Sequence, residues 1–127
     1  MSGPLIMISH SKVKPGKLET YRAHWATAID VVESAEPRMI AFHSYAAEDG
    51  TEVSTVQVHP GPESLDAHLK IFAEQLSDVA FEALDSYEMN LYGRPSEATL
   101  EFLGRIPGLR VRVQPVHDGG FLRPQPM

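Results

Sequence analysis

The sequence predicts an α+β domain in which two helices pack on one face of an antiparallel sheet, in the order β-α-β-β-α-β. Three observations lead there. Met39 to His59 reads as two strands around the turn Glu48-Asp49-Gly50. Glycine accepts the positive φ of a tight turn, and the run after it is rich in β-branched residues. Before the hairpin, Leu18, Tyr21, Trp25, Ile29 and Val32 recur at spacings of three and four, the period of a helix face. After it, Leu65, His68, Leu69, Phe72 and Leu76 do the same.

In chain order, Leu5 to Ser9 is a short apolar first strand and Lys14-Pro15-Gly16-Lys17 a turn. The first helix runs from Lys17 to Ala35 and ends before Pro37, because the residue preceding a proline avoids the α region. In the hairpin, Ile40 and Phe42 point one way and Met39, Ala41, His43 and Tyr45 the other. On its second strand, Val56 and Val58 oppose Thr55, Gln57 and His59. Both faces mix apolar and polar groups, so both are expected to be covered. Pro62 suits a first helical position and Glu63 the first turn. Phe81 falls off the stripe of a straight helix, so a continuation capped by Ser77 or Asp78 is expected through Leu84. Ser86 to Tyr92 reads as a fourth strand. Glu97 to Leu103 reads as a short helix closed by Gly104, and Leu109 to Gln114 as a fifth strand whose outward arginines suit a sheet edge. The tail from His117 is expected to be irregular.

The order is ferredoxin-like, in a single domain spanning 1–127, with a core at 5–92 and a C-terminal helix-strand extension at 94–127. The helices cover one sheet face. A second copy, packed sheet to sheet, would cover the other and make a homodimer.

The totals narrow the function. A net charge of −6 in 127 residues speaks against a nucleic-acid surface, which needs a basic stripe. The absence of cysteine rules out disulfides and thiolate metal sites. No apolar run approaches the roughly 20 residues of a membrane span. Met1-Ser-Gly-Pro lacks the basic start of a signal peptide, so a cytoplasmic location is expected.

Val13-Lys-Pro-Gly-Lys17, Glu36-Pro37 and Ala67-His68-Leu69, in that order, resemble the antibiotic biosynthesis monooxygenase-type domain. The resemblance spans Leu5 to Tyr92, and Gly119-Gly-Phe-Leu-Arg123 is similar to the ending of some longer members. It implies a dimeric α+β barrel. Some members oxidise quinols or polycyclic aromatics without metal or flavin, and others degrade haem. The first strand here has no Asn, and the only Trp lies on the first helix, which departs from the haem-degrading pattern.

His68 is the candidate catalytic residue. It shares a stripe with Leu65 and Phe72, so it should face the sheet, and a partly buried histidine can act as acid or base. It also matches the family's histidine on the second helix. The bland alternative is a core histidine bonded to a backbone carbonyl. Tyr21, Trp25 and Phe72 are candidate walls for a flat ligand, against the alternative of plain core. Asn90 and Tyr92 share one face of the fourth strand and are candidate ligand contacts. His24 flanks the first-helix stripe, as a pocket rim or a solvated residue. His43, Tyr45 and His59 are read as a polar patch at the dimer interface rather than a metal site, because no carboxylate completes a ligand set. The expected function is a cofactor-independent monooxygenase acting on a quinol or polycyclic aromatic, with no metal and no other cofactor. The alternatives are a non-catalytic small-molecule binder, or an isomerase or cyclase with His68 as proton shuttle.

Overall fold

A computed structural model describes residues 3–123. Five strands form one sheet: β1 (Leu5–Val13), β2 (Ala41–Ala46), β3 (Glu52–His59), β4 (Leu84–Tyr92) and β5 (Arg110–Gln114), in the spatial order β2-β3-β1-β4-β5. The first four pair antiparallel, and β5 joins parallel to β4. The helices are α1 (Leu18–Ala35), α2 (Pro62–Ile71), α3 (Ser77–Ala83) and α4 (Glu97–Gly104). The ferredoxin-like α+β order is therefore present, with a helix and an edge strand added. The C-terminal prolines 124 and 126 lie outside the described residues.

The register explains the mixed strands. Two rows, Phe42-Gln57-Met7-Leu91 and Ser44-Thr55-Ser9-Met89, run across the sheet beneath the helices. Two others, Ala41-Val58-Ile6-Tyr92 and His43-Val56-Ile8-Asn90, run across the face the helices leave open. Val56 and Val58 are thus on the open face, and the polar residues Thr55, Gln57 and His59 are under the helices.

Local chemistry sets the element ends. Gly50 turns the hairpin at φ +72°, and the Asp49 carboxylate accepts from the Thr51 N–H at 3.0 Å. Glu36 closes α1, its N–H donating to the Val32 carbonyl just before Pro37. Pro62 opens α2 as expected. The expected break after α2 is a π-helical turn over Phe72–Leu76, and Ser77 bonds back to the Ala73 carbonyl instead of capping α3. Gly104 is the last residue of α4 and keeps a negative φ; the left-handed glycine is Gly108. Ser96 caps α4 by accepting from the Thr99 N–H at 3.1 Å. The Ser96 and Thr99 hydroxyls both donate to Asp66 of α2, which ties the extension to the body.

The main apolar core is Leu5, Met7, Leu65, Leu69, Met89, Leu91 and Leu103. Each such burial contributes roughly 1.5–3 kcal/mol. Leu103 comes from α4, so the extension belongs to the core. On α1 the buried residues are Tyr21, Ala28 and Val32, whereas Ile29 is 40% exposed. The contact centres on the small Ala28, which turns the expected Ile29 outward.

Candidate functional site

The helix layer and the sheet do not meet over the centre of the fold. They leave a cavity of about 100 Å³. Its walls are aromatic: Tyr21 and Trp25 from α1, Phe42 from β2, Phe72 from the π-helical turn, Phe81 from α3 and Phe102 from α4. Trp25 stacks on Phe42 with ring centres 4.3 Å apart. Phe72 meets Phe81 edge-on at 5.8 Å. Trp25 and Phe72 are half-buried walls rather than sealed core. A π-helical turn widens a helix locally, and such turns recur at functional sites.

The floor is hydroxyl-rich. Ser9, Ser11, Thr55 and Ser86 line it from three strands. Ser9 bonds Thr55, and Ser11 bonds Ser86 at 2.8 Å, so the floor is satisfied within itself. Tyr21 shares a 2.6 Å hydrogen bond with Ser44, while burial pushes its phenol above the ordinary value. His24 is half-buried at the cavity, and burial lowers its value.

His68 sits at the inner end, 2% exposed. Its partner is not a backbone carbonyl. Nδ1 lies 3.0 and 3.1 Å from the two carboxylate oxygens of Glu36, which is also buried. A carboxylate only accepts, so Nδ1 carries the proton and Nε2 of the neutral ring keeps its lone pair. Nε2 has no partner among the described residues. Because no sealed polar side-chain atom there lacks a partner, Nε2 reaches open space in the cavity that His68 lines. A carboxylate that fixes the tautomer and orientation of an imidazole whose other nitrogen is free is the arrangement of a general base.

A second buried histidine stands beside it. His59 is fully enclosed, its ring centre 6.1 Å from that of His68. Its Nδ1 lies 2.7 Å from the Ser64 hydroxyl and its Nε2 3.0 Å from the Gln57 carbonyl oxygen. His59 is on the helix side of the sheet, so it does not join His43 and Tyr45, whose rings face each other on the open side. Among the described residues, no three His, Asp or Glu side chains converge as a metal site requires.

Burial, followed by the positive charge that His68 can carry, lowers His59 from 6.5 to about 4. The unfolded chain takes up a proton near pH 6.5 that the folded protein refuses until about pH 4. Folding stability therefore falls as pH drops through that window, by on the order of 3 kcal/mol from this group. Urea midpoints measured across the window check this, and a flat profile would contradict it.

Of the residues selected from sequence, the structure brings Tyr21, Trp25, Phe72 and His68 together around the cavity. Asn90 and Tyr92 are not there. They pair with Ile8 and Ile6 on the opposite sheet face. Glu36, Gln57, His59 and Phe42 were not selected, and they complete the site.

The fold is that of a small α+β protein of the antibiotic biosynthesis monooxygenase type. MupZ from Pseudomonas fluorescens superposes with a TM-score of 0.74 at 20% identity, over 97% of both chains. That coverage includes the C-terminal helix and strand. SnoaB from Streptomyces nogalater, a cofactor-independent oxygenase, superposes with a TM-score of 0.63 at 10% identity, over 75% of this chain and 96% of its own. A Nitrosomonas europaea protein that carries the antibiotic biosynthesis monooxygenase name gives 0.64 at 16% identity, over 74% of this chain and 93% of its own. At these identities the likeness is one of fold. No protein-family model matches the chain, and no curated protein matches it by sequence. No helix among the described residues is long and apolar enough to cross a membrane.

Proposed function

We propose that the protein is a cytoplasmic small-molecule enzyme in which His68, oriented by Glu36, takes a proton from a ligand held in the cavity. The observation that carries this reading is the free Nε2 of a buried, carboxylate-paired histidine at an aromatic-walled space. The reaction class is cofactor-independent oxygenation. A phenol or quinol deprotonated by His68 becomes an electron-rich anion, and that anion is the reductant of O₂. The fold shared with SnoaB supports the choice. Cavity size narrows the substrate. About 100 Å³ is nearer the size of one aromatic ring than of several fused rings, which favours a monocyclic quinol.

The test is turnover of a monocyclic hydroquinone in air and under nitrogen. Consumption of O₂ coupled to loss of the quinol, with one oxygen atom of O₂ entering a hydroxyquinone and the other leaving as water, supports oxygenation; a quinone formed with release of hydrogen peroxide counts against it. The hydroxyl floor favours a second reading, an isomerase or cyclase in which His68 shuttles a proton on an oxygen-rich ligand. That reading expects equal turnover in air and nitrogen. Tight binding without turnover would leave the protein a binder.

The open sheet face supports a homodimer. Ile6, Ile8, Val56 and Val58 form an apolar band there, with Tyr45 at 63% exposure beside it. Burying a band of this kind against its own copy is favourable at about 25 cal/mol per Å² of apolar surface. Light scattering is expected to return twice the chain mass at micromolar concentration, and a monomer would sink the assignment.

A further inference from the structure

We propose that Gln57 is the hydrogen-bond donor of the site, held by His59 and Ser64 so that its amide N–H groups face the cavity, and that together with His68 it selects ligands that ionise to an oxyanion. The inference rests on the reading of His68 as base and deepens it by naming the partner of the charge that base creates.

The argument is one of valence. The Gln57 carbonyl oxygen can only accept, so the His59 Nε2 facing it at 3.0 Å carries the ring proton. With Nε2 protonated and the ring neutral, His59 Nδ1 accepts, and the Ser64 hydroxyl at 2.7 Å donates to it. The chain Ser64 to His59 to Gln57 therefore holds the Gln57 oxygen away from the cavity. Gln57 is 5% exposed and lines the cavity, yet its amide nitrogen has no partner among the described residues. It is not a sealed orphan either, since no such atom occurs there. It opens onto the cavity as an unused donor.

His68 Nε2 is an unused acceptor at the same cavity. A space of about 100 Å³ is small enough for both to meet one ligand. Acceptor and donor together suit one event. The imidazole removes a proton from an O–H, or from a C–H beside a carbonyl, and the amide stabilises the phenolate or enolate oxygen that results. The aromatic walls lower the polarity around that charge. Other hydroxyls of the floor are spent on each other, which leaves Gln57 as the floor's free N–H donor. His59 and Ser64 touch no ligand and are positioning residues.

Two measurements on the folded protein test this. The first is the tautomer of His59 by ¹⁵N-detected imidazole NMR of the wild type. The Nε2–H form is expected. The Nδ1–H form would reverse the chain, turn the Gln57 oxygen to the cavity and overturn the proposal. The second is binding of para-nitrophenol, whose ionisation reads in the visible. Wild type is expected to prefer the phenolate, and Gln57→Leu to lose about tenfold in phenolate affinity while holding the neutral phenol. Equal losses for both forms, or none, would overturn the donor role. Gln57→Leu strands the His59 N–H, so circular dichroism accompanies it. If that variant does not fold, the wild-type tautomer decides alone. His68→Gln separates the two readings. Loss of turnover with phenolate preference retained supports base and donor as distinct groups. Full turnover in that variant refutes the base and leaves the Gln57 result standing on its own.

Discussion

Glu36→Ala is expected to lower folding stability by about 3 kcal/mol, the upper end of the cost of leaving a buried N–H donor without its acceptor. Both side chains are about 3% exposed, and among the described residues the His68 Nδ1–H has no acceptor but the two Glu36 oxygens at 3.0 and 3.1 Å. The alanine leaves that donor facing an apolar void. Glu36 is also the residue that ends α1 ahead of Pro37. Its backbone N–H bond to Val32 survives the substitution, so the loss is that of the side chain. Glu36→Gln separates charge from hydrogen bonding. Its amide oxygen still accepts from Nδ1–H, and a smaller loss of roughly 1–2 kcal/mol is expected. Urea unfolding of the two variants at pH 7 measures both. A loss below about 1 kcal/mol for Glu36→Ala would mean that another acceptor replaces the carboxylate, and the dyad would then not be what holds His68 in place.

The sequence makes the pair only half visible. His68 stands on the α2 stripe with Leu65 and Leu69, and periodicity alone points it at the sheet. Glu36 lies where the chain leaves α1, and its one local signal, the following proline, speaks of helix termination and not of burial. Only the packing of α1 beside α2 brings positions 32 residues apart into contact. The β3 pair Gln57 and His59 is hidden for another reason. Alternation assigns residues to two faces without saying which face meets the helices. Val56 and Val58 look like the inward set, yet the register turns them outward and puts the polar set under the helices. The same ambiguity sends Asn90 and Tyr92 to the far side, next to Ile8 and Ile6. Hydrophobicity misleads here because the helix-facing side carries a cavity with a polar floor and the open side carries an apolar band. The aromatic walls were legible where they lie on helix stripes, as with Tyr21, Trp25 and Phe72. Phe42 faces the cavity from a strand of mixed pattern, and Phe102 comes from the extension, outside the span of the family resemblance.

His68→Gln is expected to reduce turnover of any substrate that must lose a proton by roughly 10²–10⁴-fold, the usual contribution of a positioned general base. The glutamine amide can still donate to Glu36, so the carboxylate is not stranded. It has no lone pair of comparable basicity to turn toward the cavity, and it cannot titrate near neutrality. The fold is expected to survive with a loss of about 1–2 kcal/mol, because the hydrogen bond to Glu36 is kept while the packing of the ring is lost. Activity and stability should therefore separate: a small shift in the urea midpoint beside a large fall in kcat. The pH profile adds a second sign. With His68 as base, the two proteins should differ in how the rate depends on pH, the variant keeping a low rate that follows only ionisation of the substrate itself. His59 adds no step of its own from about pH 5 to 8, since its value of about 4 keeps it neutral there. A variant with wild-type turnover from about pH 5 to 8 would show that His68 is not the base and that the cavity binds without taking a proton.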